Sequence, residues 1–428
     1  MKKPPLLLRR EQALGVGASL FYDDPLHLVR GEGAYLYDAD GRRYVDMYNN
    51  VPCVGHGNPV VAEAMARHQG TLNTHSRYLH EGIVAFAERL TGLQHDGIES
   101  AVFSCSGTEA VEVAFQMARV ATGRRGIVCT NATYHGSSAF VEQLTRLSSN
   151  SCENDEIRAF PFPEMYRPLV EGTDDEEIGD AYLRTVRAAI DGLQQSGAGF
   201  SALIMCSILA NEGLPNIPRG FMRRAADMAH EAGGLVIADE VQAGYGRTGQ
   251  WWGYDASGFT PDIIVTGKPM GNGLPLAATT ASKMLVDGFR GKNSYFNTCA
   301  SSPLQAAVGM AVLDEIERGK LCDNAGMVGA RLKTELDKRQ QSYDFIGDVR
   351  SQGLFLVIEI VHPGEARKAH ATLASDIVNR LKEKGFLTNT DGALDNVVKI
   401  RPPLVFSDND ADEFLVAFDQ VMNAINEK

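Results

Sequence analysis

Several features of other protein classes are missing from this chain of 428 residues. No window reaches the roughly 18 consecutive apolar residues of a membrane-spanning helix, so no membrane partner is expected. The leucines near the N-terminus form an apolar run too short for a signal peptide, and Arg9 and Arg10 end it. The seven cysteines are scattered without CxxC spacing, which predicts reduced thiols in a cytoplasmic protein and no metal site. The formal net charge of -13 argues against nucleic acid as a partner.

The middle of the chain alternates apolar strands with amphipathic helices. SAVFSC, GIVC, SALIMC, LVIA and DIIVTG predict strands, whereas TEAVEVAFQMARVATG and GFMRRAADMAHEAG predict helices with an apolar spacing of about 3.6 residues. Continuous apolar strands alternating with helices indicate an α/β fold whose mainly parallel sheet is covered on both faces. Residues 148–168 are polar and then rich in proline and aromatics, which indicates a long surface excursion. The acidic run that follows predicts the start of a helix.

In such sheets ligands bind at the carboxyl ends of the strands, so the residues after each strand are candidates for a site. Ser106, Gly107 and Thr108 open a helix after one strand. They form either a capping box or a cradle for a phosphate at the helix N-terminus. Tyr134, beside His135, follows the next strand and could stack on a flat ligand or pack on the surface.

Two charged residues follow later strands. Asp239 ends a buried strand, where a carboxylate needs an arginine, another cation or a protonated ring nitrogen. Lys268 ends another strand, and partial burial would lower the pKa of its amine and let it form a Schiff base. A lysine taken alone would more often be an ordinary loop residue. Together, however, a phosphate cradle, a stacking aromatic, an aspartate and an amine predict a site for pyridoxal 5′-phosphate.

Longer motifs carry a resemblance to a known family. IADEVQAGYGRTG, with the lysine of TGKPMGNGLP 29 residues after Asp239, resembles the class III, fold type I pyridoxal-phosphate-dependent aminotransferases. The resemblance covers essentially the whole chain, including LYDADGRRYVDMYNNVPCVGHGNP, SCSGTEAVEVAFQMAR, VRSQGLFLVIEI and IRPPLVFS. It implies a large cofactor-binding domain over residues 61–304, with a mainly parallel sheet of about seven strands. A smaller α+β domain is expected from residues 1–60 and 305–428.

The resemblance also implies a role for each matching residue. Lys268 would be the Schiff-base lysine and general base, and Asp239 the partner of the cofactor's ring nitrogen. Gln242 would lie near the 3-hydroxyl of the ring. The other expected cofactor contacts are Tyr134 and Val241 on opposite ring faces, His135 beside Tyr134, and the cradle of Ser106, Gly107 and Thr108. Thr298 would reach the phosphate of the neighbouring subunit, which implies a homodimer with shared active sites.

The candidate substrate residues come partly from the resemblance and partly from position. Arg401 matches an arginine that holds a substrate carboxylate in some branches of the family, as a bidentate guanidinium can. Glu212 is a candidate for the glutamate that pairs with this arginine, or else a solvated loop residue. Tyr48 and Arg77 are expected to line the site. Arg77 could serve a substrate phosphate or an ordinary salt bridge.

Three functions stay open. The first expectation is an aminotransferase that moves an amino group from a primary amine or omega-amino compound to a keto acid such as pyruvate, in a ping-pong cycle. LNTHSRYLHEGIVAFAERL and GKPMGNG also resemble the branch that includes ethanolamine-phosphate phospho-lyases and alanine–glyoxylate aminotransferase 2-like proteins. Elimination of phosphate from a 2-aminoalkyl phosphate such as phosphoethanolamine is therefore the alternative. A cofactor-binding regulator without catalysis is the third, and it would need a DNA-binding appendage or a lost lysine.

Overall fold

The computed structural model describes residues 4–145, 154–171 and 174–427. Its N-terminal part contains three short strands between helices. The elements are α1 (Pro5–Leu14), β1 (Leu28–Glu32), β2 (Tyr35–Asp38), β3 (Arg43–Asp46), α2 (Pro59–Gln69) and α3 (Glu81–Gly92). β2 pairs with both β1 and β3 in antiparallel fashion. The β2–β3 turn contains Gly41 at φ +84°, a conformation that favours glycine.

The middle of the chain supplies the largest sheet and most of the helices around it. The strands are β4 (Ser100–Ser104), β5 (Gly126–Thr130), β6 (Ile157–Phe160), β7 (Phe200–Cys206), β8 (Leu235–Asp239), β9 (Ile263–Thr266) and β10 (Ala277–Ala281). The helices are α4 (Gly107–Thr122), a short 3-10 turn (Val141–Leu144), α5 (Asp175–Gln195), α6 (Phe221–Glu231), α7 (Gly253–Ser257) and α8 (Lys283–Lys292).

Within the described residues this sheet has seven strands in the order β4-β10-β9-β8-β7-β5-β6. Only β10 runs antiparallel to its neighbours β4 and β9, and the other pairings are parallel, which confirms the mainly parallel sheet. Successive residues of one strand join different apolar clusters: Ile127 and Cys129 pack on one face, and Val128 on the other. Both faces are covered, so the strands are apolar throughout rather than alternating.

The interpretation of residues 148–168 as a surface excursion was wrong for part of that stretch. Ile157–Phe160 forms β6, an edge strand parallel to β5, and proline follows directly after it. Edge positions tolerate such a short, proline-flanked strand because only one side of it must pair. Residues 146–153 lie outside the described part. The acidic run does open a helix, since the Asp174 side chain accepts the Glu176 N–H at the start of α5.

The C-terminal part adds a second sheet and returns to the N-terminal strands. Its elements are α9 (Pro303–Arg318), α10 (Leu321–Gln340), β11 (Ile346–Gln352), β12 (Phe355–His362), β13 (Glu365–Ala369), α11 (Ala371–Glu383), β14 (Phe386–Leu387), β15 (Asn389–Asp391), β16 (Val397–Ile400) and α12 (Asp408–Asn426). β14 pairs in parallel with β3, so segments from both ends of the chain share one sheet. The boundaries assigned to the two domains stay a prediction.

Three further observations concern the described ranges alone. No helix there has the length and apolar character needed to cross a membrane. The six cysteines of those ranges are free thiols. No group of three or more histidine, cysteine, aspartate or glutamate side chains is arranged there to hold a metal ion.

Candidate active site

A cavity of about 330 Å³ opens at the carboxyl edge of the large sheet. That size and place suit a small organic ligand in an α/β protein. The lining includes the expected residues of the strand ends: Ser106, Gly107, Thr108, Tyr134, His135, Asp239, Val241, Gln242 and Lys268. It also includes Asn211, Cys206 and the segment Gly273–Leu276.

The N-terminus of α4 forms one end of the cavity. Ser106 is the N-cap, and its hydroxyl accepts the Glu109 N–H at 3.2 Å, while Glu109 accepts the Cys105 N–H at 2.7 Å. The capping box is only half formed, because Glu109 accepts from Cys105 rather than from the Ser106 N–H. The cap and the cradle are not alternatives, since the capped helix end faces the cavity. Helix N-termini of this kind favour an anion such as phosphate.

The glycines around this helix end have no room for a side chain. A Cβ on Gly107 would lie 3.1 Å from a methyl of Val241. A Cβ on Gly136, at φ +147°, would lie 2.5 Å from the Thr108 hydroxyl oxygen. These close approaches keep the backbone N–H groups of the cradle next to Val241 and to the Tyr134 loop.

Asp239, at the end of β8, is held from both sides. One carboxylate oxygen lies 2.6 Å from His135 Nδ1, and the other accepts the Val241 N–H at 3.0 Å. The His135 ring is buried, and its Nε2 lies 2.9 Å from the Thr133 hydroxyl. His135 therefore orients the aspartate, and it lines the cavity together with Tyr134, which is 45% exposed. No sequence pattern predicts this contact, since His135 and Asp239 are 104 residues apart.

Lys268 projects from the loop between β9 and β10. Its side chain is accessible from the cavity but is surrounded by protein on its other sides. This desolvation lowers the pKa of the Lys268 amine, Arg401 lowers it further, and Asp239 opposes the shift. A lowered pKa gives more of the neutral amine, which is the form that reacts with an aldehyde or accepts a proton.

The loop that carries Lys268 contains three glycines, and two of them are under clear constraint. A Cβ on Gly271 would lie 2.1 Å from the Leu274 carbonyl oxygen, and Gly273 has φ +113°. Gly267 has only ordinary contacts, the nearest being Gly107 Cα at 3.4 Å. The turn therefore depends on Gly271 and Gly273 more than on Gly267.

Gln242 lines the cavity and is hydrogen-bonded to Arg401, which is buried and, like Tyr48, is not part of the cavity lining. The Gln242 side-chain carbonyl accepts from Arg401 Nη1, and its amide donates to Asn211 Oδ1 at 3.0 Å. Asn211 in turn donates to the Tyr134 carbonyl at 3.2 Å. Asn211 is the functional residue that sequence reasoning missed, although it lies just past β7, where a strand-end search would find it.

Arg401 is buried, and its remaining contacts are also to neutral groups. Nε and Nη2 donate to the Tyr48 carbonyl at 3.0 and 2.9 Å. The guanidinium also lies 5.0 Å from the centre of the Tyr48 ring and 5.5 Å from that of Phe355. Among the described residues, no carboxylate comes within ion-pair distance of it. The site therefore contains a buried cation that lacks a direct anionic partner.

Glu212 is placed elsewhere than next to Arg401. It is buried, one of its oxygens accepts from the Thr130 hydroxyl, and the other has no hydrogen-bond partner. Burial raises the pKa of this carboxyl above its ordinary value. In this structure Glu212 therefore leaves the charge of Arg401 uncompensated, and its pairing with Arg401 stays a prediction.

Arg77 and Thr298 lie outside the cavity of their own chain. The Arg77 guanidinium stacks 4.0 Å from the centre of the Phe296 ring, two residues before Thr298. Thr298 is exposed, and its neighbour Asn297 donates to Glu109 at 3.1 Å. The two residues thus share one surface beside the α4 N-terminus, consistent with a site completed by a second subunit.

The residues present fit pyridoxal phosphate. The tight approach of Gly107 and Gly136 leaves the helix N-terminus open for a phosphate, and the anchored carboxylate of Asp239 suits a protonated ring nitrogen. Val241 and Tyr134 line the space between these two ends, where the ring would lie, and the Lys268 amine faces the same cavity.

Comparisons with known proteins agree with this geometry. A family model described as aminotransferase class-III matches residues 22–422. A Drosophila melanogaster protein named alanine–glyoxylate aminotransferase 2-like is 34% identical over 99% of this chain and 88% of its own length. A solved phospholyase from Arthrobacter, in complex with phosphoethanolamine, is 36% identical with a TM-score of 0.94, covering 98% of this chain and 99% of the other.

An amine transaminase from an uncultivated Pseudomonas species, solved with pyridoxal phosphate bound, is 26% identical with a TM-score of 0.85, covering 94% of this chain and 95% of the other. The likenesses confirm fold type I, and pyridoxal 5′-phosphate is the cofactor. The family match spans nearly the whole chain, and the relatives include proteins named for transamination and for phosphate elimination. This chain therefore belongs to the class III family of pyridoxal-phosphate-dependent aminotransferases.

Proposed function

We propose that this enzyme eliminates phosphate from a 2-aminoalkyl phosphate such as phosphoethanolamine. The observation that carries the proposal is the buried Arg401, which has only neutral hydrogen-bond partners and is ready to bind an anion. The likeness to the Arthrobacter phospholyase supports phosphate as that anion, since it extends over almost all of both chains at a TM-score of 0.94. The sequence-based preference for transamination becomes the second candidate.

Each residue of the site has its own role in the proposed reaction. Bound pyridoxal phosphate supplies an electron sink for the carbon next to the substrate nitrogen. Asp239, fixed by His135, keeps the ring nitrogen protonated, which makes that sink effective. The Lys268 amine removes the proton from the substrate carbon, as its lowered pKa permits. Arg401 holds the substrate's anionic group and compensates its charge as the bond to phosphate breaks.

The proposed elimination balances with phosphoethanolamine and water alone and needs no second organic substrate. Phosphoethanolamine loses inorganic phosphate from the carbon next to the deprotonated one, and the electron pair of the broken C–H bond becomes the new double bond. Water then releases acetaldehyde and ammonia. Transamination instead keeps the substrate's phosphate and needs a keto acid to take up the amino group, so the two reactions differ in every product.

Transamination is a second candidate because the family model and the Drosophila relative are named for it. A carboxylate would fit the guanidinium of Arg401 as well as a phosphate does. The amino-group donor would then be a primary amine or omega-amino compound, and a keto acid such as pyruvate the acceptor. This reaction uses Lys268 and Asp239 in the same positions.

One assay separates the two reactions. The enzyme loaded with cofactor is incubated with phosphoethanolamine, with and without pyruvate, and free phosphate, ammonia and alanine are measured. Elimination releases phosphate and ammonia in equal amounts, independent of pyruvate. Alanine formed only with pyruvate, without phosphate release, would contradict elimination and establish transamination. The Lys268→Ala variant is the blank for both.

We further propose that the working unit is a homodimer in the cytoplasm. The dimer is supported by the shared surface of Arg77, Phe296 and Thr298, which lies outside the cavity of its own chain. We infer that Thr298 contributes to the phosphate site of the partner and that Arg77, stacked on the same loop, faces the partner's substrate.

A further inference from the structure

The turn that follows β3 is organised by one carboxylate. Asp46 is fully buried, and its oxygens accept the Tyr48 and Asn49 backbone N–H groups, both at 3.0 Å. The Asn49 side-chain amide donates to both carboxylate oxygens, at 3.2 and 3.1 Å. His56 Nε2 lies 2.7 Å from the second oxygen. Asp46 is thus the centre of a buried polar cluster that the proposed reaction does not use directly.

The peptide group between Tyr48 and Asn49 connects this cluster to Arg401. Its N–H donates to Asp46 at 3.0 Å, and its carbonyl accepts two hydrogen bonds from the Arg401 guanidinium, at 3.0 and 2.9 Å. One peptide dipole therefore lies between a carboxylate and a guanidinium, with its positive end toward the anion and its negative end toward the cation. Hydrogen bonds in such a chain polarise and strengthen one another.

The backbone adds a further connection to the same turn. The Arg401 N–H donates to the Met47 carbonyl at 2.7 Å, so the strand that carries Arg401 is attached to the turn directly. Arg401 and the turn are about 350 residues apart in the sequence, and this contact brings them together. Three hydrogen bonds from Arg401 thus end on a turn whose shape depends on Asp46.

The link between Asp46 and Arg401 is also electrostatic, because the two side chains have opposite charges. A buried guanidinium without a compensating anion is unfavourable, and none of the described carboxylates pairs with Arg401 directly. Burial lowers the pKa of Arg401, whereas Tyr48 and then the negative charge of Asp46 act in the opposite direction. Asp46 is therefore an anion that supports the charge of Arg401 through the intervening peptide, without a direct ion pair that would compete with an anionic substrate.

We propose that Asp46 is a positioning residue for recognition of the substrate's anionic group, acting on Arg401 through the Tyr48–Asn49 peptide group. This inference rests on the proposed role of Arg401 as the anion-binding residue. Asp46 touches neither substrate nor cofactor, so its loss should weaken the binding of amines that carry an anion and leave the binding of neutral amines unchanged.

The test measures binding rather than turnover. We would measure the dissociation constants of two amines from the change in visible absorbance of the cofactor-loaded protein. The first, 2-aminoethylphosphonate, carries an anion but no leaving group, and the second, 1-aminopropane, is neutral apart from its amine. The variants are Asp46→Asn, Arg401→Gln and the double variant. Asp410→Asn is the matched control, because Asp410 is also a buried carboxylate, caps α12 and lies outside the Arg401 cluster.

We expect Asp46→Asn to weaken 2-aminoethylphosphonate binding about tenfold, the size of one hydrogen bond to a charged group, with 1-aminopropane binding changed less than about twofold. Because Asp46 acts through Arg401, adding Asp46→Asn to Arg401→Gln should have no further effect. Asp410→Asn should change neither constant.

Other results overturn the inference in distinguishable ways. Equal losses for both amines, or effects that multiply in the double variant, would make Asp46 a turn cap only and leave the proposed function intact. Normal phosphonate binding by Arg401→Gln would refute the anion-binding role itself. If Asp46→Asn does not fold, Asp46→Ser carries the same comparison, since a serine hydroxyl can still accept the turn N–H without a charge. If neither variant folds, Asp46 is structural and the inference fails.

Discussion

The cofactor end of the active site and its proposed substrate end are built in different ways. At the cofactor end, Asp239, Lys268 and the α4 cradle each follow a strand of one parallel sheet, so the sheet alone brings them together. At the substrate end, Arg401 is held by Tyr48 and Gln242, from segments 353 and 159 residues away. The cofactor end therefore depends on the large sheet, whereas the substrate end depends on how the three sheets of the described residues pack together. Changes at the first should abolish chemistry, and changes at the second should alter which substrate is bound.

The strongest way to test the cofactor end is to remove its amine. Lys268→Ala deletes both the covalent attachment and the proton-transfer group, so we expect turnover to fall by roughly 10⁴-fold or more. The visible absorbance of the resting holoenzyme should be lost as well. The exposed Lys283, which pairs with Asp287 on α8, provides the control variant Lys283→Ala with normal spectrum and rate. A borohydride-reducible link to cofactor in Lys268→Ala would mean that another lysine is catalytic.

The adjacent carboxylates Asp239 and Glu240 offer a matched pair for the next test. Asp239 faces the cavity with His135, whereas Glu240 points away and accepts N–H groups of Gly253 at 2.7 Å and Tyr254 at 2.8 Å. We expect Asp239→Asn to lower turnover by about 10²- to 10³-fold, because the ring nitrogen loses its anionic partner. Thermal stability should change little. Glu240→Gln should show the reverse pattern, with a lower midpoint and a near-normal rate for the folded fraction.

This pair also shows how far the sequence could be read. A buried strand that ends in Asp239-Glu240 predicts a charged site, and the parallel sheet predicts where it lies. The alternation of side chains along the strand predicts that the two carboxylates point in opposite directions, but it does not say which of them meets the cavity. The contact of Asp239 with His135 joins positions 104 residues apart. Periodicity contains no information on such a pairing. The same reason hid the Arg401–Gln242 bond and the orientation of Glu212 toward Thr130.

Thr298 tests whether the cofactor end is completed by a second subunit. Thr298→Glu would place a negative charge where the cofactor phosphate must bind, so the homodimeric variant should be inactive. When it is mixed with the inactive Lys268→Ala variant and subunits exchange, each mixed dimer should contain one complete site. We expect roughly one quarter of the wild-type activity per chain, since half of the dimers are mixed and each has one working site of two. If activity does not return after verified subunit exchange, Thr298 acts within its own subunit.

The smallest expected effect is a pH dependence of the free energy of unfolding, and it concerns Glu240, the carboxylate that points away from the cavity. Burial raises the pKa of Glu240 from 4.5 to about 7, although Ser207 and two backbone N–H groups act in the opposite direction. The carboxyl of Glu240 therefore binds its proton more tightly in the folded protein than in the unfolded chain. The contribution of this protonated carboxyl to the free energy of unfolding is fully present below about pH 4.5. It declines as pH rises toward 7 and is constant above that. The shift corresponds to at most about 3 kcal/mol.

The free energy of unfolding of wild type minus that of Glu240→Gln should therefore be larger at pH 5 than at pH 8, as measured by urea unfolding of the cofactor-free protein at both values. Glu359 is the control because its pKa is lowered, chiefly by its charge interactions with Arg350 and Arg167, which outweigh its burial. The stability due to Glu359 is lost only as pH falls through the acid range, so the Glu359→Gln difference should be the same at pH 8 as at pH 6. A wild-type advantage over Glu240→Gln that grows from pH 5 to pH 8 would show that Glu240 is charged in the folded protein. Its hydrogen bonds to Gly253 and Tyr254 would then outweigh the cost of burial.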